Sequence, residues 1–208
     1  MCSIIASYSK AKIKELAALN AYRGQHSHSV YVFEKYNNVV LYKHRAIGPL
    51  NIDEHNLPDG YIICHQQAPT TENKNNSIHP AQLMDELLWH NGILKEKTIA
   101  DLQVKYDSNV TWDTKLLLLH MINNKKPDNI DGTFSCIYYN GKKLHMFRNE
   151  ISPLFYDKDL NISSTKFENS ISVEPNKVLE LSLNLSYNIS YNTDNEFKTV
   201  ENPYYFGA

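Results

Sequence analysis

Met1-Cys2-Ser3-Ile4-Ile5-Ala6 opens the chain, and the rest of the sequence is read outward from it. Ile4–Ser7 reads as a short buried strand that begins almost at the terminus. Cys2 stands at the head of that strand. If Met1 is removed, a thiol and a free α-amine share one residue. An α-amine titrates near pH ~8, so it can take the thiol proton at neutral pH and later give it to a leaving amine. The thiolate is the reactive form and a better nucleophile than a Ser or Thr hydroxyl. A small apolar residue opening a buried strand accounts for Cys2 equally well, so its position alone does not choose between the two readings.

The 208 residues suffice for one substantial core, and the expectation is a single domain over 1–208. Hydrophobic residues make up 42% and charged residues 21%, as in an ordinary globular chain. A net charge of -2 gives no electrostatic footprint for nucleic acid. No apolar run approaches the ~20 residues of a membrane span, and the start lacks a signal-peptide pattern, so the expected location is cytoplasmic. Cys2, Cys64 and Cys136 are too few and too widely spaced for a disulfide framework or a zinc site. His26, His28 and His44 lack metal-ligand spacing and read as surface or satisfied histidines, so neither metal nor cofactor is expected.

Lys10–Tyr22 reads as a helix closed by Arg23-Gly24, with Gly as its C-cap. Ser29–Phe33 and Val39–Lys43 read as a hairpin, Gly60–His65 as a strand, and Thr70–Ser77 as a loop. Leu87–Asn91 reads as a strand ending in an Asn91-Gly92 turn. Trp112–Asn123 is the clearest helix, with Thr111 or Asp113 at its cap. Thr133–Tyr139 and Lys143–Arg148 flank Asn140-Gly141 as a hairpin, and Leu154–Tyr156, Ile162–Ser164 and Val178–Leu185 continue the β pattern. The sum is an α+β layered protein with two helices near one end of a run of antiparallel strands.

Chemistry collects in three further segments: Ile63–Thr71, His79-Pro80 with Leu88–Leu94, and Asn109–Thr114. An amide attacked by a thiolate needs donors for its oxyanion, and Asn91-Gly92 offers a side-chain amide beside a backbone N–H. Most Asn-Gly pairs are plain turns, and most Asp residues at a helix start are caps. An anionic Asp113 is also suited to hold a substrate ammonium.

These segments resemble, in order, the glutaminase domain of class II glutamine amidotransferases, a branch of the N-terminal nucleophile hydrolases. Cys2–Ala6 resembles the family's Cys-Gly-Ile-Val-Gly start. Arg23-Gly24 with Ser27–Ser29 is similar to its Arg-Gly-x-Asp-Ser-Ser-Gly stretch, and His65–Thr70 to its Gly-His-Thr-Arg-Trp-Ala-Thr strand end. His79-Pro80, His90-Asn91-Gly92-Ile93, Trp112-Asp113-Thr114 and Ile130–Phe134 resemble four further elements. Arg148–Tyr156 and Glu174–Val178 resemble two more. The resemblance implies a four-layer αββα sandwich, two antiparallel sheets between helices. It implies Cys2 as nucleophile, Asn91 and Gly92 as the oxyanion hole, Asp113 on the glutamine ammonium, and Thr70 and His79 shaping the pocket. It implies glutamine as substrate, with ammonia passing to a separate synthase, since no fused synthase domain is expected within 1–208.

The departures are specific. The family's carboxylate-clamping arginine is replaced by Gln67, and the next position holds Ala68. Losing a charge-assisted pair costs roughly 1.5–3 kcal/mol, or about 10- to 100-fold in binding. Arg23 or Arg45 is the candidate substitute. Two other readings stand beside the glutaminase: an amidase of the same nucleophile type with another amide substrate, and a non-catalytic interaction module that keeps the fold.

Overall fold

The computed structural model describes residues 2–68, 77–183, 189–190 and 195–200. Three helices occur among them: α1 (Lys10–Asn20), α2 (Glu96–Lys105) and α3 (Asp113–Asn124). The strands are β1 (Ser3–Ser7), β2 (Ser27–Phe33), β3 (Val40–Ile47), β4 (Tyr61–Gln67), β5 (Ala81–Leu83), β6 (Glu86–Leu94), β7 (Gly132–Tyr139), β8 (Leu144–Arg148), β9 (Phe155–Tyr156), β10 (Ile162–Ser163), β11 (Ile171–Ser172), β12 (Leu179–Leu181) and β13 (Ile189–Ser190). They form two antiparallel sheets, β11-β9-β10-β1-β4-β2-β3 and β13-β12-β8-β7-β6-β5.

The layering follows from period-two alternation, which sends successive side chains to opposite faces of a sheet. Ile4 and Ala6 of β1, Tyr31 and Phe33 of β2, Leu87 and Trp89 of β6, and Ile137 and Tyr139 of β7 meet in a core between the sheets. Their neighbours point outward. Ile5, Val30, Val32, Ile62 and Cys64 pack with Ile13, Leu16 and Ala17 of α1. Leu88, Phe134, Cys136 and Tyr138 pack with Leu102 of α2 and Leu116, Leu117 and Met121 of α3. The central strands of both sheets are therefore buried on both faces, and the order is α1, first sheet, second sheet, α2 with α3. This is the expected four-layer αββα sandwich.

Four local expectations need correction. The first helix ends at Asn20, short of Tyr22, because the Asn20 side chain turns back to Leu16 O (2.8 Å) and across to Ser163 Oγ (2.9 Å). A 3₁₀ turn, Ala21–Arg23, follows. The strand through Asn91 does not turn at Gly92. It runs on to Leu94, with Gly92 opposite Phe134 in the ladder. The expected pair of helices is three, with α1 on the far side of the sandwich from α2 and α3. Helix α2 escaped the sequence pattern because only Thr98 and Leu102 are buried on it. Helix α3 has Trp112, not Thr111 or Asp113, at its N-cap position; Asp113 is its first helical residue, and its carboxylate accepts from Thr114 N (2.7 Å). The Asn140-Gly141 hairpin forms as expected, with Asn140 Oδ1 accepting from the Lys142 and Lys143 amides (3.1 and 2.8 Å).

Candidate active site

The alternation that builds the inter-sheet core also decides which polar residues share its end. Cys2 is in phase with Ile4 and Ala6, Asn91 with Leu87 and Trp89, Ser135 with Ile137, and His65 and Gln67 with Tyr61 and Ile63. All five are on inward-facing positions, where the apolar layer gives way to a buried polar cluster.

Ser164 ties the first strand to this cluster. Its hydroxyl accepts from Ile4 N (3.0 Å) and lies 3.5 Å from Asn91 Nδ2, and its amide donates to Ile4 O (3.0 Å). Asn91 Nδ2 also reaches Ser135 Oγ at 3.4 Å. Both contacts are long for an amide donor, so Nδ2 has no short bond to surrender to a new acceptor. Gly92 is held at φ +157°, and a Cβ there would sit 1.9 Å from Thr133 O. Only glycine passes this point of the β6–β7 ladder.

Cys2 is 9% exposed, and its Sγ lies 3.5 Å from Ala68 O. Burial pushes the thiol pKa up. Among nearby charges Asp113 pushes it further up, and Arg23 pulls it down. The thiol is thus protonated at neutral pH, and ionising it requires a local base. Gly24 closes this end of β4, since a Cβ on it would meet Ala68 N at 2.3 Å. Arg23 is buried, with Nε donating to Thr165 Oγ1 (3.1 Å) and Nη2 to Ser164 O (3.3 Å). Arg45 donates to Tyr31 Oη (2.8 Å) and to Ile78 O (3.4 Å), beside His79.

Asp113 anchors the opposite wall. One carboxylate oxygen accepts from Leu94 N (3.2 Å), the other from its own helix's Thr114 N (2.7 Å). Three buried histidines fill the space behind. His65 and His79 stack at 4.0 Å between centroids, and Trp112 meets His79 edge-on at 5.2 Å. His65 Nε2 donates to His90 O (3.0 Å) and His90 Nε2 to Thr133 O (3.3 Å), because a carbonyl only accepts. Thr114 Oγ1 then donates to His90 Nδ1 (3.1 Å) and accepts from His79 Nε2 (3.1 Å). Burial lowers all three pKa values, that of His65 to about 3, so the cluster is neutral.

Gln67 does not project toward an open pocket. Its Oε1 accepts from Ser27 Oγ (3.1 Å) and lies 3.3 Å from His79 Nδ1, while Nε2 donates to Ser77 O (2.9 Å). Thr70 lies outside the described residues. The structure therefore gathers Cys2, Asn91, Gly92, Asp113, His79, Gln67 and Arg23 at one end of the sandwich. It adds His65, His90, Thr114, Ser135 and Ser164, which sequence reading did not single out as site residues. Strand phase was the available signal for His65 and Ser135. Nothing local marks Ser164.

No protein-family model matches the sequence, and no curated protein sequence does. Solved structures do match the fold. A glutamine phosphoribosylpyrophosphate amidotransferase from B. subtilis, solved with ADP and GMP, is 15% identical at a TM-score of 0.62, covering 87% of this chain and 47% of that one. A structure described as the allosteric regulatory enzyme of purine biosynthesis is 14% identical at 0.60, with the same coverage. A glutamine aminotransferase class-II domain protein from Silicibacter pomeroyi is 13% identical at 0.50, covering 95% of this chain and 99% of that one. The chain thus spans about half the length of the first two. At these identities the likeness speaks for the fold, which is the αββα sandwich of the class II glutamine amidotransferase structures.

Proposed function

We propose that the chain is a glutaminase of the class II amidotransferase type, with Cys2 as nucleophile once Met1 is removed. The observation that carries this reading is the meeting of Cys2, Asn91 and Asp113 at the polar end of the inter-sheet layer. Ser164 joins the Cys2 strand to Asn91, and the Asp113 charge reaches the Cys2 thiol.

The Cys2 α-amine takes the thiol proton, and Sγ attacks the side-chain amide carbon of glutamine. Asn91 Nδ2 and the Gly92 N–H hold the resulting oxyanion, the kind of donor whose loss costs about 10²–10³ in kcat. The ammonium returns its proton to the leaving nitrogen, which departs as ammonia and leaves a thioester. Water, deprotonated by the same amine, cleaves the thioester to glutamate and the free thiol. Asp113 holds the substrate ammonium, His79 shapes the wall, and ammonia passes to a separate acceptor enzyme.

Gln67 supports a second reading. Its neutral amide is tied to Ser27 and Ser77, so it offers an α-carboxylate no cation, and Arg23 is a cation whose charge acts on the thiol. An amidase acting on a substrate without an α-carboxylate fits that wall. Glutamate release by the chain and its Cys2→Ala variant, together with the mass of the purified N-terminus, tests the proposal. Loss of at least ~10⁴-fold in Cys2→Ala, with Met1 absent, is expected. Unchanged turnover or a retained Met1 in active protein refutes it. A panel of amides separates the two readings.

A further inference from the structure

On the outer face of the first sheet, away from Cys2, three histidines converge from distant points in the chain. His28 is on β2, His44 on the edge strand β3, and His55 follows the 3₁₀ turn Ile52–Glu54. In the β2–β3 ladder Val30 faces His44 and His28 faces Ala46, which makes His28 and His44 diagonal neighbours on one face. Their rings stack at 5.6 Å, and His55 meets His44 at 4.8 Å and His28 at 6.0 Å. One nitrogen from each lies within 4.8 Å of the other two.

Two of the rings are already oriented from behind. His28 Nδ1 lies 2.9 Å from Gly48 O, so it carries the proton and leaves Nε2 with a lone pair. His55 Nδ1 lies 2.9 Å from Tyr42 Oη, and Tyr42 is two residues before His44 on the same face. A ring nitrogen bonded to a carbonyl or hydroxyl is the outer-shell contact that orients metal-binding imidazoles. Lys10 Nζ is engaged by the His55 carbonyl at 2.8 Å.

We propose that His28, His44 and His55 form a binding site for a divalent transition-metal cation of the Zn²⁺ class, with water in the remaining position. Tetrahedral Zn²⁺ with bonds of about 2.0–2.1 Å sets its ligand nitrogens roughly 3.4 Å apart, so each ring closes inward by under about 1 Å. Three imidazoles without thiolate or carboxylate suit Zn²⁺, Co²⁺, Ni²⁺ or Cu²⁺ and not Mg²⁺ or Ca²⁺. The ion would pin the turn at 52–55 to the free edge of the sheet. The site is independent of the proposed glutaminase chemistry, because its residues face the α1 layer and Cys2 faces the other sheet.

The test uses the tag-free, chelator-treated chain carrying Cys2→Ser, so that the terminal thiol does not compete. Zn²⁺ titrated by calorimetry is expected to bind at one equivalent and to raise Tm in step. Co²⁺ is expected to give visible absorption without a sulfur charge-transfer band. His44 is half-exposed, so His44→Ala leaves the fold intact, and it is expected to weaken binding by at least about 100-fold and to abolish the Tm rise. Tyr42→Phe removes only the outer partner and is expected to cost about 10-fold. Absence of saturable binding, or equal affinity in His44→Ala, overturns the proposal.

Discussion

Two histidine clusters in this molecule differ in what their nitrogens do. Between the sheets, His65, His79 and His90 give their ring nitrogens to carbonyls, to Thr114 and to the neighbourhood of Gln67. At the sheet edge, His28 and His55 each give one nitrogen to a fixed partner, and one nitrogen of each of the three rings lies within 4.8 Å of the others. The first cluster is a wall: buried, neutral and costly to disturb. The second is a set of orientated lone pairs with one half-exposed member. Burial and hydrogen bonding thus turn one residue type into scaffold in one place and into candidate ligand in another.

After the loss expected of Cys2→Ala, the largest effect lies beyond the wall, at Asn91. Asn91→Ala should lower glutamine turnover about 10²–10³-fold while changing the denaturation midpoint little, because its present contacts are long. Equal loss of stability and activity would make Asn91 part of the wall. Acid comes next. The interior histidines have folded pKa values below the unfolded ~6.5, so the unfolded state binds more protons as pH falls. Stability is then complete above about pH 6.5 and declines toward the folded value of about 3 for His65. Each such histidine contributes a slope of about 1.4 kcal/mol per pH unit. Urea midpoints between pH 7 and pH 4 measure this, and a flat profile would show that the cluster charges without unfolding.

Thr114→Val removes the hydroxyl shared by His79 and His90 and should cost about 1–3 kcal/mol, read as a shifted urea midpoint. A neutral result would mean that these rings find other partners. The smallest effect belongs to the edge. Without metal, His44→Ala should change stability by no more than about 0.5 kcal/mol, as for an ordinary surface substitution. A large loss in the metal-free protein would make the edge cluster a packing unit like the interior one.

Much of the sandwich was legible beforehand. Ile4–Ser7, Thr133–Tyr139 and the Asn140-Gly141 hairpin carry short apolar runs or turn chemistry, and α3 carries a broad apolar surface. Helix α2 carried too little of either. The Asn91-Gly92 pair misled in one respect: a dipeptide that usually makes a turn is held extended here by the Phe134 and Thr133 strand beside it. Asp113, expected as cap or ligand, sits at the first helical position with its carboxylate on Leu94 N and Thr114 N, a use that needs β6 and α3 in place.

The sequence by itself determined the alternating strands, the order of the motif-bearing segments, and which side of each strand a residue occupies. Those properties are local, because backbone geometry sets the period of two within a single strand. Tertiary structure decided the rest. Cross-sheet packing put Ser164 between Ile4 and Asn91 and closed Ser27, Ser77 and His79 around Gln67. Strand register and a 3₁₀ turn brought His28, His44 and His55 together, where spacing along the chain had shown no metal-ligand pattern. Such meetings depend on pairing register and loop path, which no periodicity within a segment encodes.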